Sequence, residues 1–434
     1  MANRTLLIAR PVASSHSMHG RCTRGYLAYD PKERTVSFLK DFWRPDHEQI
    51  PAEHEVYKRL AAHKVSNIAT CEDSEDVCDS DGRWQVTKTH DAVGHTSHLA
   101  HGHYRVRLRE FCRPLTDFKD FRELASLFYD AMTAHEDAWG KAAVLHRDIS
   151  VNNILILEEG KGREISRKGI LNDWDLCKYK EQMLKGTAPR RPNLTGTWYF
   201  RSALSLRYPY KPYRLSDDIE SFIHVYHYCV YRFHITDAVD NLANIINTTY
   251  GDGEKNIVDG VTIGGSKKLM AMTFPLPPMR VCADYPTLKD CLMALHNVYS
   301  SHYKAIDLGS YELLYCSPRD RRPRRLPIPE IIEDNLKPMD THTKLKDVFL
   351  RYGGRVEDEQ GNPSIAWEEN ELQKTEDLFQ ETSLADRKNG QLSSARHEAF
   401  EDEEMQAEKP VKRLKVGARS TTLHSIMENR LEEQ

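Results

Sequence analysis

The sequence predicts an α+β fold in two lobes, a small strand-rich lobe followed by a larger helical lobe. Residues 25–40 show the pattern of a β-hairpin, and most of the helical apolar stripes lie after about residue 112. The chain has 434 residues, which is long enough to bury a sizeable core. We therefore expect the strand-rich lobe over residues 1–112 and the helical lobe over residues 113–354.

The first lobe is predicted to contain a hairpin and one helix. Two runs, Gly25–Tyr29 and Thr35–Lys40, flank the turn sequence Asp-Pro-Lys-Glu-Arg. Because side chains alternate along a strand, Lys40 shares a face with Phe38 and has apolar neighbours. Residues 52–62 are helix formers with an apolar side, so a helix is expected there.

Five histidines follow this helix, at His90, His95, His98, His101 and His103. Such a cluster can capture a metal ion, because imidazole is a common zinc ligand. The irregular spacing with interleaved glycine instead favours a flexible loop. We expect the loop.

The second lobe is predicted to begin with a helix capped by Thr116, whose apolar positions repeat at i, i+3, i+4 and i+7. A strand-like run, Asn153–Leu157, and the short run Gly169–Asn172 predict a second hairpin. A long helix with another core stripe is expected to begin near Asp217.

Charge and composition exclude several classes of function. Lys and Arg number 61 against 65 Asp and Glu, and a phosphate-tracking protein needs a net basic face, so we expect no direct nucleic-acid binding. No signal peptide or membrane span is predicted, since the apolar run 222–233 is short and interrupted by charge. Nine cysteines without a Cys-x-x-Cys pair suggest a reducing compartment. We expect an intracellular protein, cytoplasmic or nuclear, of undetermined oligomeric state.

The last eighty residues have a different composition. Residues 355–434 carry 11 Lys and Arg against 19 Asp and Glu and few aromatic residues, which cannot offset the entropy of ordering the chain. We expect this tail to be mostly disordered. The basic cluster 409–415 within it is either a nuclear import signal or a solvated charge run, and the basic cluster 319–325 has the same two interpretations.

The sharpest functional signal is His146-Arg147-Asp148 followed by Asn153, with apolar residues on both sides. This is the catalytic-loop pattern of protein kinases. In phosphoryl transfer the aspartate accepts or orients the proton of the attacking hydroxyl, and the asparagine five residues on ligates a metal ion at the same phosphate. The tripeptide alone arises by chance in long chains, but the full eight-residue pattern is much rarer.

Further motifs follow in the order Asp173-Trp-Asp175, Gly196-Thr197-Trp-Tyr-Phe200 and Asp217-Asp218-Ile-Glu-Ser221. With these motifs the chain resembles the fungal-type protein kinase domain family, whose members carry an Asp-Ile-Ser catalytic loop, a Gly-Thr-Trp-x-Phe segment and an Asp-Asp-x-Glu-Ser helix start. The resemblance covers roughly residues 15–350 and is strongest over residues 144–233. It implies a bilobal protein-kinase-like fold and an ATP-dependent protein kinase.

The resemblance implies how the first lobe would hold ATP. Lys40 would bind the α- and β-phosphates, and we expect its replacement by Met to leave the fold intact, as for a cation at an exposed rim. A helix glutamate would aim this lysine. Glu53 and Glu55 are about 200° apart around a helix, so only one can face Lys40, and we favour Glu55. Gly20 and Gly25 would remain from the glycine loop over the phosphates.

The resemblance also assigns roles in the second lobe. Asp148 would be the catalytic aspartate, and Asn153 and Asp173 would ligate Mg²⁺. Thr197 is similar to the residue that hydrogen-bonds the catalytic aspartate in serine/threonine kinases, so a protein substrate with a serine or threonine acceptor is expected. Asp218 would brace the backbone of the catalytic loop, and its replacement by Ala would lower stability.

Arg147 resembles the arginine that kinases neutralise with an anion, often a phosphorylated residue of the activation segment. Thr187 and Thr195 lie in that segment beside several basic residues. One of them is therefore a candidate activating phosphosite. The alternative is that the basic residues bind acidic substrate or solvent.

The chain also departs from the family pattern. The glycine loop is degenerate, Phe38 stands where a small residue borders the adenine, and Asp175 replaces the glycine of the metal-binding segment. Ser150 stands where serine/threonine kinases place a lysine, and Leu204 replaces the glutamate that locks the activation segment to the helical lobe. These departures leave an inactive, kinase-shaped scaffold as the main rival hypothesis. A small-molecule kinase is a third, which the Gly-Thr pair argues against.

Overall fold

In the computed structural model of this chain, the described residues are 4–14, 21–46, 50–88, 100–160, 165–183, 196–255, 261–282, 284–315 and 337–379. They form the predicted α+β architecture in two lobes, with a β-sheet first and helices after it. The strand-rich and helical lobes meet around the loops that carry the polar motifs. The fold prediction is confirmed.

The first lobe is built on an antiparallel five-stranded sheet. Its strands are β1 (Leu7–Ser14), β2 (Arg24–Asp30), β3 (Thr35–Pro45), β4 (Cys71–Asp76) and β5 (His101–Leu108), in the spatial order β1-β2-β3-β5-β4. The predicted hairpin is β2 and β3, in which Gly25 lies opposite Lys40. On the other side of β3, Lys40 pairs with Val106 of β5. Lys40 therefore lies on the central strand of the sheet.

The histidine-rich segment is only partly a loop. His101 and His103 belong to β5, and His103 Nε2 lies 2.8 Å from Asp41 Oδ1 on the neighbouring strand. The expectation of a loop is wrong for these two residues, because their backbones pair with β3. His90, His95 and His98 lie outside the described residues.

One helix, α1 (Glu53–Ala62), follows the central strand, as the sequence predicts. Its buried positions are Glu53, Val56, Tyr57 and Leu60, at i, i+3, i+4 and i+7. This single buried stripe fixes which side of the helix faces the site.

The second lobe is helical. Its helices are α2 (Phe121–Gly140), α3 (Lys180–Met183), α4 (Ala203–Arg207), α5 (Leu215–Phe233), α6 (Leu242–Tyr250), α7 (Ser266–Thr273), α8 (Pro286–Lys304), α9 (Leu308–Tyr315), α10 (Thr343–Tyr352) and α11 (Glu369–Leu372), with 3₁₀ turns at Leu115–Asp117, Trp198–Phe200 and Val239–Asn241. Phe128 of α2, Tyr226 of α5 and Phe349 of α10 meet ring to ring within the core. These three helices make the rigid base of the lobe.

The start of α2 differs from the expectation. The helix begins at Phe121, and the Asp120 side chain accepts a hydrogen bond from Glu123 N at 2.7 Å. Thr116 lies in the preceding 3₁₀ turn, which an extended residue at Phe118 separates from α2. Asp120 is therefore the N-cap, and the prediction of Thr116 is wrong.

Short strands flank the loops of the second lobe. They are β6 (Arg113–Pro114), β7 (Val144–Leu145), β8 (Ile154–Glu159), β9 (Ser166–Leu171), β10 (Lys178–Tyr179), β11 (Gly253–Lys255) and β12 (Thr262–Gly264). The predicted second hairpin is β8 and β9, with Ile154 opposite Leu171. A second antiparallel pair joins β7 to β10.

The packed chain continues beyond residue 354. In the segment 355–379, Glu371 is fully buried and accepts a hydrogen bond from Thr287 N at 2.6 Å, and Asp377 forms an ion pair with Arg232. The predicted boundary at 354 falls inside this packed part, because a composition averaged over eighty residues hides a short ordered segment. Residues 380–434 lie outside the described residues, as do both basic clusters.

Among the described residues, no helix combines the length and the apolar character needed to cross a membrane.

Candidate active site

Pairing of β8 with β9 brings two distant motifs together. Because Ile154 lies opposite Leu171, the residues before Ile154 lie beside those after Leu171. Asn172 N donates to Asn153 O at 2.9 Å, and His146 Nε2 donates to Asn172 O at 2.9 Å. The catalytic-loop motif and the Asp-Trp-Asp motif therefore share one end of this hairpin.

Asp148 is held from two directions. Its carboxylate Oδ1 accepts hydrogen bonds from Thr197 N at 2.7 Å and Thr197 Oγ1 at 2.8 Å, as the resemblance predicts. Its backbone carbonyl accepts from Asn153 Nδ2 at 2.8 Å. Gly196 approaches the loop so closely that a Cβ would lie 2.5 Å from Arg147 O, and its φ of +95° favours glycine. The Gly-Thr pair is thus seated directly on the catalytic loop.

The Asp-Trp-Asp motif presents both carboxylates to the first lobe. Trp174 is fully buried against the His146 ring, which anchors the segment. Asp173 Oδ1 lies 2.6 Å from Lys40 Nζ, and Asp175 Oδ2 lies 3.3 Å from the same atom. Asp173 has a φ of +63°, a conformation that costs free energy for a residue other than glycine. Lys40 thus contacts both aspartates of the motif.

The glutamate that pairs with Lys40 is Glu53, and the preference for Glu55 is wrong. Glu53 Oε2 lies 2.9 Å from Lys40 Nζ, whereas Glu55 is exposed. The physical reason is the buried stripe of α1: Glu53 is three and four residues before Val56 and Tyr57, so it shares their face. That spacing is present in the sequence and could have identified Glu53.

Arg21 is a site residue that the sequence analysis missed. Its guanidinium Nη1 is ion-paired with the Asp175 carboxylate, across the cleft between the lobes. No local pattern marks Arg21, because the partner lies 154 residues further along the chain. Asp175 adds a negative charge to the motif, and this charge is the feature of the sequence that could have indicated a second cation at the site.

Of the two glycines predicted for the loop over the phosphates, the structure describes Gly25. Gly25 lies at the start of β2, and a Cβ there would lie 2.5 Å from the end of the Phe38 ring, so its lack of a side chain makes room for that ring. Gly20 lies outside the described residues.

The cluster of Lys40, Arg21 and three carboxylates is strongly coupled. Burial raises the pKa of Glu53 to about 7, against the opposing effect of Lys40. Burial and then the neighbouring Asp175 raise the pKa of Asp173 to about 6. Burial alone would raise the pKa of Asp175 too, but Arg21 and Lys40 outweigh it and hold this pKa well below its ordinary value. Burial would lower the pKa of Lys40, yet the three carboxylates raise it. Three acids thus face two cations, and two of the three acids, Glu53 and Asp173, have a raised pKa.

Asp218 lies beneath the catalytic loop, as the resemblance predicts. It is fully buried, and its Oδ2 accepts a hydrogen bond from Arg147 N at 2.9 Å. Tyr213 OH donates to Oδ1 at 2.6 Å, and His135 Nε2 lies 2.9 Å from Oδ2. This carboxylate ties the loop to α2 and α5.

Arg147, the residue before Asp148 in the catalytic loop, is buried. It has a φ of +72°, and its Nη1 donates to Leu176 O at 3.4 Å. Burial lowers its pKa, although Tyr213 and Asp218 oppose this. The two candidate phosphosites, Thr187 and Thr195, lie outside the described residues.

The acidic side of the cluster suits a hard divalent cation. One carboxylate oxygen from each of Glu53, Asp173 and Asp175 lies within 4.8 Å of the others. Among the residues that the structure describes, Glu53 Oε1 and Asp175 Oδ1 are buried without a hydrogen-bond partner. Oxygen ligands of this kind are the donors that Mg²⁺ prefers. The donor set therefore fits a magnesium ion.

One comparison with known proteins agrees with the sequence motifs. A family model described as "Fungal protein kinase" matches residues 1–230. Among solved structures, the PK-1 kinase of the Cydia pomonella granulovirus is 15% identical, with a TM-score of 0.39, over 70% of this chain and 89% of that one. No curated protein matches the chain.

Proposed function

We propose that this chain, which belongs to the fungal protein kinase family, is an ATP-dependent protein kinase acting on serine or threonine. The observation that carries the proposal is the meeting of the segments that contain Lys40, Asp148, Asn153 and Asp173. The Lys40 ammonium contacts the Asp173 carboxylate, the Asn153 carbonyl accepts a hydrogen bond from Asn172 N, and Asn153 Nδ2 donates to Asp148 O. Phosphoryl transfer needs chiefly such positioned charges.

Each of these groups would have a distinct task. Lys40 would bind phosphate oxygens after exchanging its contacts with Asp173 and Asp175 for them, and Glu53 would keep it in place. Asp148, held by Thr197, would orient the acceptor hydroxyl and take up its proton. Asp173 and Asn153 would hold Mg²⁺, which supplies charge neutralisation at the phosphates. The nucleophile belongs to the substrate.

Serine or threonine specificity is supported by the Thr197 contact. The hydroxyl and the amide of Thr197 both donate to one oxygen of Asp148, which fixes the direction of the other oxygen. A hydroxyl on a short aliphatic side chain would then be brought to that second oxygen. A protein acceptor, in place of a small alcohol, is consistent with the family.

A catalytically inactive scaffold is the second candidate. The observation in its favour is that the carboxylates of Asp175 and Asp173 are already paired with two cations of the cleft, Arg21 and Lys40. A nucleotide must displace these carboxylates from the cations before its phosphates can bind there. Such competition lowers nucleotide affinity in either case.

Nucleotide binding and transfer should be measured separately on the full chain. Mg²⁺-dependent binding of a fluorescent ATP analogue and ³²P incorporation would be compared for the wild type, Asp148→Asn and Asp173→Asn. An active kinase predicts that Asp148→Asn binds the analogue normally without transfer, while Asp173→Asn loses Mg²⁺-dependent binding as well. Equal background incorporation in all three proteins would favour the scaffold. Serine, threonine and tyrosine peptides, with small alcohols, would identify the acceptor class.

A further inference from the structure

Leu204 lies just after the segment that contains Thr197, and it raises the question of which group fixes this segment. Its side chain is 6% exposed and packs in the hydrophobic core, so position 204 supplies no charge to fix this segment. Yet the segment must be fixed, because Thr197 donates two hydrogen bonds to Asp148. Another group must therefore hold the chain between residues 197 and 203.

Lys268 is placed to do this. Its Nζ donates to Tyr199 O at 2.6 Å, to Arg201 O at 2.9 Å and to Trp198 O at 3.5 Å. An ammonium group has three donors, and all three are directed at this one turn. The turn is the 3₁₀ helix Trp198–Phe200 with its C-cap Arg201; Trp198 O also accepts from Arg201 N at 3.3 Å, whereas carbonyls at the end of a helix lack a partner within it. Lys268 thus binds the backbone directly after Thr197.

The burial of Lys268 sets it apart from an ordinary surface lysine. The residue is 0% exposed, and burying an ammonium is costly unless its donors are satisfied. Burial lowers its pKa to about 7; Glu220 and Asp252 oppose this change and Arg201 adds to it. The Tyr250 ring lies 5.4 Å from the ammonium. The adjacent Lys267, by contrast, is exposed.

The helix that carries Lys268 is itself anchored. Gly265 precedes α7 with a φ of +75°, and a Cβ there would lie 2.9 Å from Ala203 O and 2.8 Å from Leu206 Cβ. From the opposite side, Glu220 Oε1 accepts a hydrogen bond from Ala203 N at 2.7 Å. The segment is therefore held between α7 and α5.

We propose that Lys268 is a positioning residue for phosphoryl transfer: by binding the turn 198–201, it holds Thr197 against Asp148 in place of the acidic latch absent at Leu204. The inference rests on the proposed function for its kinetic consequence. Its structural part, the fixing of Thr197, is independent of activity. Lys268 also lies beyond residues 1–230, which the family model matches.

The test compares Lys268→Met with the matched control Lys267→Met in the full chain. Hydrogen–deuterium exchange of peptides covering residues 196–203 is expected to be about tenfold faster or more in Lys268→Met, and unchanged in the control, because the turn loses its restraint. Binding of a fluorescent ATP analogue with Mg²⁺ should stay within about twofold and at full stoichiometry. The kcat for a pool of serine and threonine peptides should fall about 10- to 100-fold, as expected for a displaced catalytic group.

The outcomes separate the two hypotheses. Unchanged exchange over residues 196–203 in a folded Lys268→Met variant overturns the positioning role, whatever the activity. Faster exchange in a protein whose wild type transfers no phosphate supports the role of Lys268 and overturns the kinase proposal. If Lys268→Met does not fold, Lys268→Gln replaces it, and the same faster exchange is expected because the shorter side chain with two donors cannot bind the three carbonyls that Lys268 binds. If both variants unfold where the wild type is folded, Lys268 is a stability residue and the positioning role is overturned.

Discussion

Replacing Lys40 with Met is predicted to destabilise the protein as well as to abolish phosphotransfer. The expectation that Lys40 lies at an exposed rim is wrong, since its side chain is only 7% exposed. Its Nζ lies within 3.3 Å of three carboxylates, those of Glu53, Asp173 and Asp175. Removing the ammonium leaves these acids facing one another with Arg21 as their remaining partner.

The size of the effect follows from burial. Breaking a buried ion pair by removing one partner costs about 3–5 kcal/mol. The Asp173 side chain is 25% exposed and Arg21 still neutralises Asp175, so the lower end applies. We expect the free energy of unfolding to fall by about 3 kcal/mol at neutral pH.

The measurement is urea unfolding of Lys40→Met beside the control Lys58→Met, which changes an exposed lysine of α1. The carboxyls left by Lys40→Met should have raised pKa values in the folded state. An acid whose pKa is raised in the folded state contributes stability at low pH and loses this contribution as the pH rises. The difference in unfolding free energy between Lys40→Met and the wild type should therefore shrink towards pH 5. Adding Glu53→Gln should restore part of the loss. A Lys40→Met variant as stable as Lys58→Met at pH 7.5 would refute the argument.

Three further changes test other parts of the site. Glu53→Gln should reduce kcat/KM at least about tenfold through misplacement of Lys40, whereas Glu55→Gln, two residues away and exposed, should have no effect in the same phosphotransfer assay. Asp218→Ala removes the acceptor of three buried donors and should lower the free energy of unfolding by about 3 kcal/mol or more in urea titrations. Burial raises the pKa of Glu220 from 4.5 to about 7, so its contribution to stability is full below pH 4.5 and is lost as pH rises towards 7. Glu220→Gln should therefore gain stability relative to the wild type between pH 5 and 8, and a pH-independent difference would contradict this.

Local patterns predicted the elements that depend on neighbours in sequence. The hairpin of β2 and β3, the helix α1 and the hairpin of β8 and β9 all follow from alternation or helical spacing, and the structure contains them. The errors at Thr116 and Glu55 arose where another polar residue, four and two positions away, fills the position instead. For Thr116 the choice is made by where the helix begins, and for Glu55 it is made by burial, which the sequence indicates only through the wider apolar stripe.

Contacts between distant segments could not be predicted in the same way. Arg21 and Asp175 are separated by 154 residues, and Lys268 is 67 residues from the carbonyl of Arg201 that it binds. A lysine that donates only to backbone carbonyls leaves no signature in the side chains of its partners. Such residues are found only once the chain has brought them together.

Two departures from the family pattern change their meaning once the structure is considered. In the sequence alone, Asp175 adds a negative charge to the cleft. Leu204 removes the negative charge of the glutamate that locks the activation segment to the helical lobe. In space, Asp175 is neutralised by Arg21, and the turn after Thr197 is held by Lys268. Burying each of these cations is costly unless its partners are present, whether or not the centre transfers phosphate. Replacing Asp175 with Gly alone is therefore predicted to weaken the site unless Arg21 is changed with it.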